Sequence, residues 1–264
     1  MNKKAILVVS FGTSYREGRA KALDVIEADM GLAFPGYEIR RAYTSSMIIR
    51  SLKERDGIFV DSVEEALLKL LQEGFEQVLV QTTHVIPGEE YHKMLRMIRP
   101  FEDRFAALAC GAPLLNEPGD YQAAAEILSR GLAGFRDGKT DIILMGHGTE
   151  HEANEAYKNL QDTFGRLKLT NFLIGTVEAS PTIETVMGLV KKRHPGRIIL
   201  TPFMIVAGDH AHQDMAGADE ESWKCRFEKL GYPVTCVLKG LGEYPEIRRL
   251  FISHAKKAAV KLCT

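Results

Sequence analysis

Short apolar runs alternate with longer amphipathic stretches from one end of this chain to the other, and that alternation is its strongest constraint on fold. Residues 5–10, 37–43, 77–82, 106–112, 141–145, 172–177, 197–204 and 233–238 read as strands, and most of the intervals between them read as helices. Strand and helix in strict alternation is the pattern of a parallel sheet with helical crossovers, so the fold class is α/β. Asp61-Ser62-Val63-Glu64-Glu65, followed by Ala66-Leu67-Leu68-Lys69-Leu70-Leu71, carries the signals of a helix start, and Gly74 supplies its stop.

With 264 residues the chain is long enough for two domains, and its halves resemble each other. The segment from Val78-Leu79-Val80-Gln81 to Glu89-Glu90 parallels, without a gap, the segment from Ile198-Ile199-Leu200-Thr201 to Asp209-His210. Val8-Val9-Ser10-Phe11-Gly12-Thr13 likewise parallels the segment around Gly146-His147-Gly148-Thr149 when Gly12 is set against Gly148. The expectation is two similar α/β domains, each with a four-stranded parallel sheet, over residues 1–135 and 136–264, joined in the Gly-containing stretch 131–140. Residues 244–262 read as an amphipathic terminal helix whose apolar face covers the first domain, with a second copy in a homo-oligomer as the alternative.

Basic side chains number 34 and acidic ones 35, so no bulk attraction to nucleic acid or to an anionic membrane is expected. Lys3-Lys4 and the apolar run behind them superficially resemble a secretion signal, but the run is short and lacks a small-residue cleavage site. No apolar run approaches the roughly 18 residues that span a bilayer. Cys110, Cys225, Cys236 and Cys263 form no C-x-x-C pair, which argues against a zinc ribbon or a disulfide framework and for a reducing, cytoplasmic setting.

Ligands of an open parallel sheet gather beyond the carboxyl ends of its strands. Three polar residues stand there in the second half: His147 after strand 141–145, Glu178 after strand 172–177, and His210 in the loop after strand 197–204. Their spacings, 31 residues from 147 to 178 and 32 from 178 to 210, each match one βα unit of about 30 residues. Successive strand ends are neighbours in space, so the three can converge. Two imidazoles and a carboxylate suit Co²⁺, Fe²⁺, Ni²⁺ or Zn²⁺ and leave coordination positions open. A single loop histidine is ordinarily a surface group, and the weight lies in the clustering of His147, His151, His210 and His212, four of the eight histidines.

Other motifs fall away on context. His147-Gly148-Thr149-Glu150-His151 matches the H-x-x-E-H of inverted zinc proteases, but that chemistry needs a continuous helix and this segment leaves a strand with Gly148 inside it. Neither Gly12 nor the Gly146–Gly148 pair completes a dinucleotide or P-loop pattern, so tight turns explain them better. Ser10 and Ser14 lack a G-x-S-x-G setting for a hydrolase nucleophile.

At these residues the sequence resembles, nearly end to end, the CbiK family of anaerobic-pathway cobalt chelatases, class II chelatases related to ferrochelatase. The resemblance rests on Leu7-Val8-Val9-Ser10-Phe11-Gly12-Thr13-Ser14-Tyr15, Thr44-Ser45-Ser46-Met47-Ile48-Ile49-Arg50, Arg55-Asp56-Gly57, Met145-Gly146-His147-Gly148, Val177-Glu178, Val206-Ala207-Gly208-Asp209-His210 and Gly240-Leu241-Gly242-Glu243. It implies two Rossmann-like domains with a cleft between them, and insertion of Co²⁺ into sirohydrochlorin, a polycarboxylated tetrapyrrole, with release of two protons in the early-cobalt-insertion cobalamin pathway. The metal-site positions of the family carry over to His147, Glu178 and His210, with His147 also assisting deprotonation.

The resemblance implies no organic cofactor. Co²⁺ enters as the substrate metal, with Fe²⁺ or Ni²⁺ as alternatives, and the partners are sirohydrochlorin and the ion. Glu90 falls in a segment similar to a family motif and is a candidate for the substrate site. Ser10, Thr13 and Ser45 are candidates for holding substrate carboxylates, with Arg16 and Arg50 as charged partners, while His84 and His92 are either tetrapyrrole neighbours or solvent-facing, the second reading being favoured. Sirohydrochlorin ferrochelatase, a non-catalytic metal or haem carrier, and a metallohydrolase are the rival functions.

Overall fold

The computed structural model describes residues 3–262, which leaves Cys263 outside the described residues. The described residues divide into two compact units, 3–116 with 245–262, and 117–244.

In the first unit the strands are β1 (Lys4–Ser10), β2 (Glu38–Tyr43), β3 (Gln77–Thr82) and β4 (Ala107–Cys110), arranged β2-β1-β3-β4 with every pairing parallel. Helix α1 (Arg16–Gly18) runs through a π turn, Arg19–Leu23, into α2 (Asp24–Ala33). Then come α3 (Ser46–Asp56), α4 (Val63–Gln72) and α5 (Glu89–Ile98). The expected start of α4 forms as a capping box: the Ser62 hydroxyl accepts from the Glu65 amide while the Glu65 carboxylate accepts from the Ser62 amide. Gly74 ends the segment with φ of +77°. One face of the sheet is closed by Val63, Leu67 and Leu70 of α4 and by Met94 and Ile98 of α5, packed on Leu7, Val9, Val78 and Val80.

The second unit repeats the plan. α6 (Pro118–Gly131) precedes β5 (Thr140–Gly146), α7 (Glu155–Arg166), β6 (Phe172–Thr176), α8 (Ile183–Arg193), β7 (Arg197–Pro202), α9 (Trp223–Lys229) and β8 (Val234–Cys236). The order is β6-β5-β7-β8, again all parallel. These are the two Rossmann-like sheets expected from the sequence. β5 is buried along its whole length, and at its foot the buried Asp141 takes a bidentate pair from Arg193 at 2.9–3.2 Å. β4, β7 and β8 are shorter than their apolar runs. β7 stops at Pro202, where the chain peels away and the Phe203 amide donates to the Met145 carbonyl.

Where the sequence places one boundary at 135/136, the contacts of the chain divide it at 116/117 and again at 244/245. α6 follows edge strand β4 and α10 (Pro245–Ala259) follows edge strand β8, so neither helix has to cross back to another strand of the sheet just left. The burial sites of these two helices therefore follow from their apolar faces. α6 buries Ala124, Ala125, Ile127 and Leu128 in the second unit, where it packs beside α7 and where Gly131 lies directly against the Tyr244 ring. α10 buries Ile247, Phe251 and Ala255 against β3 and β4 in the first unit and is pinned there by Arg248 on Asp29 at 2.6 Å.

After β3 the His84 ring turns inward rather than to solvent. Its Nδ1 lies 2.6 Å from the Thr82 hydroxyl, and its Nε2 is buried with no hydrogen-bond partner. Burial, and then the nearby positive charge of Lys93, push its pKa down to about 4. The unfolded chain takes up a proton near pH 6.5 that the native ring refuses until about pH 4, so stability is lost as pH falls through that window. Chemical unfolding at pH 7 and pH 5 is expected to differ by about 2 kcal/mol from this group alone. His84→Gln should remove that component of the slope.

Candidate metal centre

β5, β6 and β7 end side by side, and the loops that leave them carry His147, Glu178 and His210. The parallel pairing of β5 with β6 runs on past the strands: the Val177 amide donates to the Gly146 carbonyl, and the Glu178 amide donates to the His147 carbonyl at 2.9 Å. The backbones of these two residues are thereby locked together. Gly148 then turns the chain at φ of +86°, and a Cβ there would sit 2.8 Å from the Ala179 amide nitrogen and 2.9 Å from the Thr176 Cβ. Only glycine fits this turn. The Glu178 loop is held from behind by the Thr176 hydroxyl on the Ala179 carbonyl (2.6 Å) and by the Asn154 side-chain amide on the Ser180 carbonyl (2.6 Å).

The loop after β7 is fastened by the amides of Leu241 and Gly242, which donate to the carbonyls of Met204 and Ile205. Gly240 makes that contact fit, since a Cβ there would approach the Ile205 carbonyl oxygen to 2.5 Å. The segment delivers His210 to the start of a π turn, Ala211–Met215.

One donor atom from each of His147, Glu178 and His210 lies within 4.8 Å of the other two, and this is the cluster with metal-ligand chemistry found among the described residues. The imidazole rings face each other edge to face with centroids 4.8 Å apart, and His147 Nδ1 is 3.4 Å from Glu178 Oε2. Donors around a first-row ion with bonds of about 2.1 Å lie roughly 3–4 Å apart, so a small closure brings these three onto one ion. His147 Nδ1 faces the Gly148 carbonyl at 3.0 Å, and His210 Nδ1 meets Asp214 Oδ2 at 2.5 Å. The Asp214 carboxylate at His210 Nδ1 favours a proton there and leaves the Nε2 lone pair for an ion, while His147 turns Nδ1 toward both the Gly148 carbonyl and Glu178. The three side chains are 46%, 54% and 37% exposed, open enough for an ion to arrive and leave through water.

Asp214 is the site residue that sequence reasoning missed. The available signal was its position four residues after His210, one helical turn away. His151 stays out of the cluster: its Nδ1 accepts from the Ala153 amide, and the H-x-x-E-H segment is a loop followed by a short turn at Glu152–Asn154.

The first unit carries the same scaffold with other residues on it. The amides of Thr44 and Ser45 donate to Ser10 and Phe11, as those of Val177 and Glu178 do to Gly146 and His147. Leu114 and Leu115 donate to His84 and Val85, as Leu241 and Gly242 do to Met204 and Ile205. Gly12 repeats the positive φ of Gly148, at +102°. Phe11, Ser45 and Glu90 thus stand where the second unit has His147, Glu178 and His210, and that trio cannot hold an ion in the same way.

The candidate substrate residues in this unit are committed locally. The Ser10 hydroxyl is buried and accepts from Thr83, Thr13 accepts from the Tyr15 amide, and Ser45 caps α3 by accepting from the Ile48 amide. Glu90 accepts from the Thr44 hydroxyl at 2.7 Å and pairs with Lys93 at 3.4 Å.

Residues 4–260 match the family model described as cobalt chelatase (CbiK). The chain belongs to the CbiK family of cobalt chelatases. A sirohydrochlorin cobaltochelatase of Salmonella typhimurium is 39% identical over 256 residues, 97% of this chain and 96% of that protein. The sirohydrochlorin cobaltochelatase CbiKC of Nitratidesulfovibrio vulgaris is 34% identical over 99% of this chain and 93% of its own. Among solved structures, SirB from Bacillus subtilis with Fe³⁺ superposes with a TM-score of 0.67 over 97% of this chain and 95% of its own. At 11% identity that likeness is one of fold.

In this CbiK family member, removing the acceptor behind His210 frees the ring to rotate. Asp214→Ala is expected to weaken Co²⁺ binding about tenfold to a hundredfold in calorimetric titration, with the unfolding midpoint little changed.

Proposed function

We propose that this protein is a sirohydrochlorin cobaltochelatase, taking Co²⁺ and sirohydrochlorin to cobalt-sirohydrochlorin and two protons. The observation that carries the reading is the open cluster of two imidazoles and one carboxylate at the β5, β6 and β7 strand ends of a chain belonging to the cobalt chelatase family. The names of the relatives favour sirohydrochlorin as the tetrapyrrole and cobalt over iron or nickel, all of which accept these donors. We place the activity in the cytoplasm, on the early-cobalt-insertion route to cobalamin. Among the described residues no helix is long and apolar enough to cross a membrane, and Cys110, Cys225 and Cys236 are free thiols.

Insertion exchanges the water and protein ligands of the ion for four pyrrole nitrogens and removes two N–H protons from the macrocycle. His147, Glu178 and His210 hold the ion through neutral imidazole and a single negative charge. Such a set is strong enough to strip part of the hydration shell and weak enough to release the ion to a tetradentate ligand. As the ion passes to the macrocycle, the freed ring nitrogen of His147 becomes a base for a departing pyrrole proton. Glu178, 3.4 Å from the same ring, stabilises the imidazolium that results. The half-exposed site lets that proton reach bulk water.

Multiple-turnover assays with sirohydrochlorin and Co²⁺ under anaerobic conditions are expected to yield the metallated product, which neither a carrier nor a hydrolase would accumulate. His147→Ala and His210→Ala should each lower kcat by about a hundredfold or more while the folded circular-dichroism spectrum is kept. Wild-type turnover in both variants would refute the assignment of the site.

A further inference from the structure

A second feature of the first unit is an arginine-lined cavity of about 490 Å³ formed between the loop after β1 and the carboxyl end of α3. Ser14, Arg16 and Arg19 line it from one side, and Arg55 and Asp56 from the other. Three guanidinium groups thus surround one carboxylate. Arg55 is spoken for: it donates to the Ser14 carbonyl at 2.7 Å and forks onto the Asp56 carboxylate at 2.7 and 2.9 Å. The side chains of Arg16 and Arg19 make no hydrogen bond or ion pair among the described residues, although Glu17 between them pairs with Lys21 at 2.5 Å.

Two unpaired arginines are also badly placed for stability alone. They occupy the first turns of the helical segment 16–33, where the helix dipole already concentrates positive charge. Stability would favour acidic residues there. The cavity therefore carries a surplus of positive charge with donors unused, at the carboxyl edge of a parallel sheet where ligands bind. The exposed Asp56 carboxyl is held below its ordinary pKa first by its hydrogen bond from Arg55 and then by the charges of Arg19 and Arg16.

We propose that this cavity is a carboxylate subsite for the tetrapyrrole, in which Arg16 and Arg19 grip one acidic side chain of the macrocycle. The inference rests on the chelatase reading for the identity of the ligand and extends it to recognition. Guanidinium forks match carboxylates bidentately, and a polycarboxylated macrocycle offers several such groups at its rim. Arg55 is a positioning residue: tied to Ser14 and Asp56, it holds the wall of the cavity. The commitment of the Ser10, Thr13 and Ser45 hydroxyls to local structure leaves these guanidiniums as the unused donors beside β1.

The test is the double variant Arg16→Gln/Arg19→Gln, whose removed groups leave no buried partner behind. KM for sirohydrochlorin is expected to rise about tenfold, while kcat at saturating tetrapyrrole and KM for Co²⁺ stay within about twofold of wild type. A purely structural role would instead lower kcat and the melting temperature without a selective change in tetrapyrrole KM. Wild-type turnover combined with an unchanged KM in the variant would overturn the subsite and leave the chelatase reading standing. Failure of the wild type to turn over would overturn the chelatase reading. In that case equilibrium titration with sirohydrochlorin, followed by fluorescence, still decides the subsite: weaker binding by the variant supports it and equal binding overturns it.

Discussion

The chemistry we propose for this protein depends on a parallel ladder that continues beyond its strands. β5 and β6 keep their register after Gly146 and Thr176, so the Glu178 amide reaches the His147 carbonyl and fixes two candidate ligands as backbone neighbours. The same edge receives β7, whose departure at Pro202 is tied to β5 by the Phe203 amide on Met145. With the order β6-β5-β7-β8, the chain passes to opposite sides of β5, and the crevice between the ends of β5 and β7 is a topological switch point. His147 and His210 rise from its two sides. Gly148 and Gly240 are the places where backbone comes too close for any side chain, and both lie in the turns and contacts that aim these histidines.

The two units share one scaffold, and among the described residues only the second carries the candidate ligand trio. The first unit reproduces the ladder extension, the positive-φ glycine and the loop clamp with Phe11, Ser45 and Glu90 in the positions of the ligand trio. There Ser45 caps a helix and Glu90 is bound to Thr44 and Lys93, so the polar groups that remain are used internally. One copy of the scaffold carries two imidazoles and a carboxylate at its strand ends, and the other ties its polar groups to neighbouring residues. The first of these bears the chemistry we assign, and the surplus charge of Arg16 and Arg19 gives the other copy a role in recognition.

Much of this was legible in the sequence because strand ends obey a simple rule. Apolar runs located the eight strands found among the described residues, and the ionisable residue that follows each of the runs 141–145 and 172–177 stood out by position alone. The half-to-half match predicted the equivalence of Phe11 with His147 and of Glu90 with His210. Less accessible were features decided by packing. Residues 131–140 looked like a linker, but α6 and α10 each follow an edge strand, and only their apolar faces decide which core they join. Ser10, Thr13 and Ser45 were candidates for holding substrate carboxylates, whereas each hydroxyl bonds a nearby group of the chain. His84 looked like a surface residue because the inward turn of its ring depends on the Thr82 hydroxyl and on the amides that clamp its loop. Asp214 was hidden in a segment with no strand to mark it, although its spacing from His210 is that of one helical turn.

The central claim is that His147, Glu178 and His210 together hold the incoming ion. X-ray absorption of the Co²⁺-loaded protein examines it directly. The account predicts a first shell of nitrogen and oxygen at about 2.1 Å, with the outer-shell scattering of two imidazoles falling to that of one in His210→Ala. A sulfur scatterer, or an imidazole count indifferent to that substitution, would contradict it.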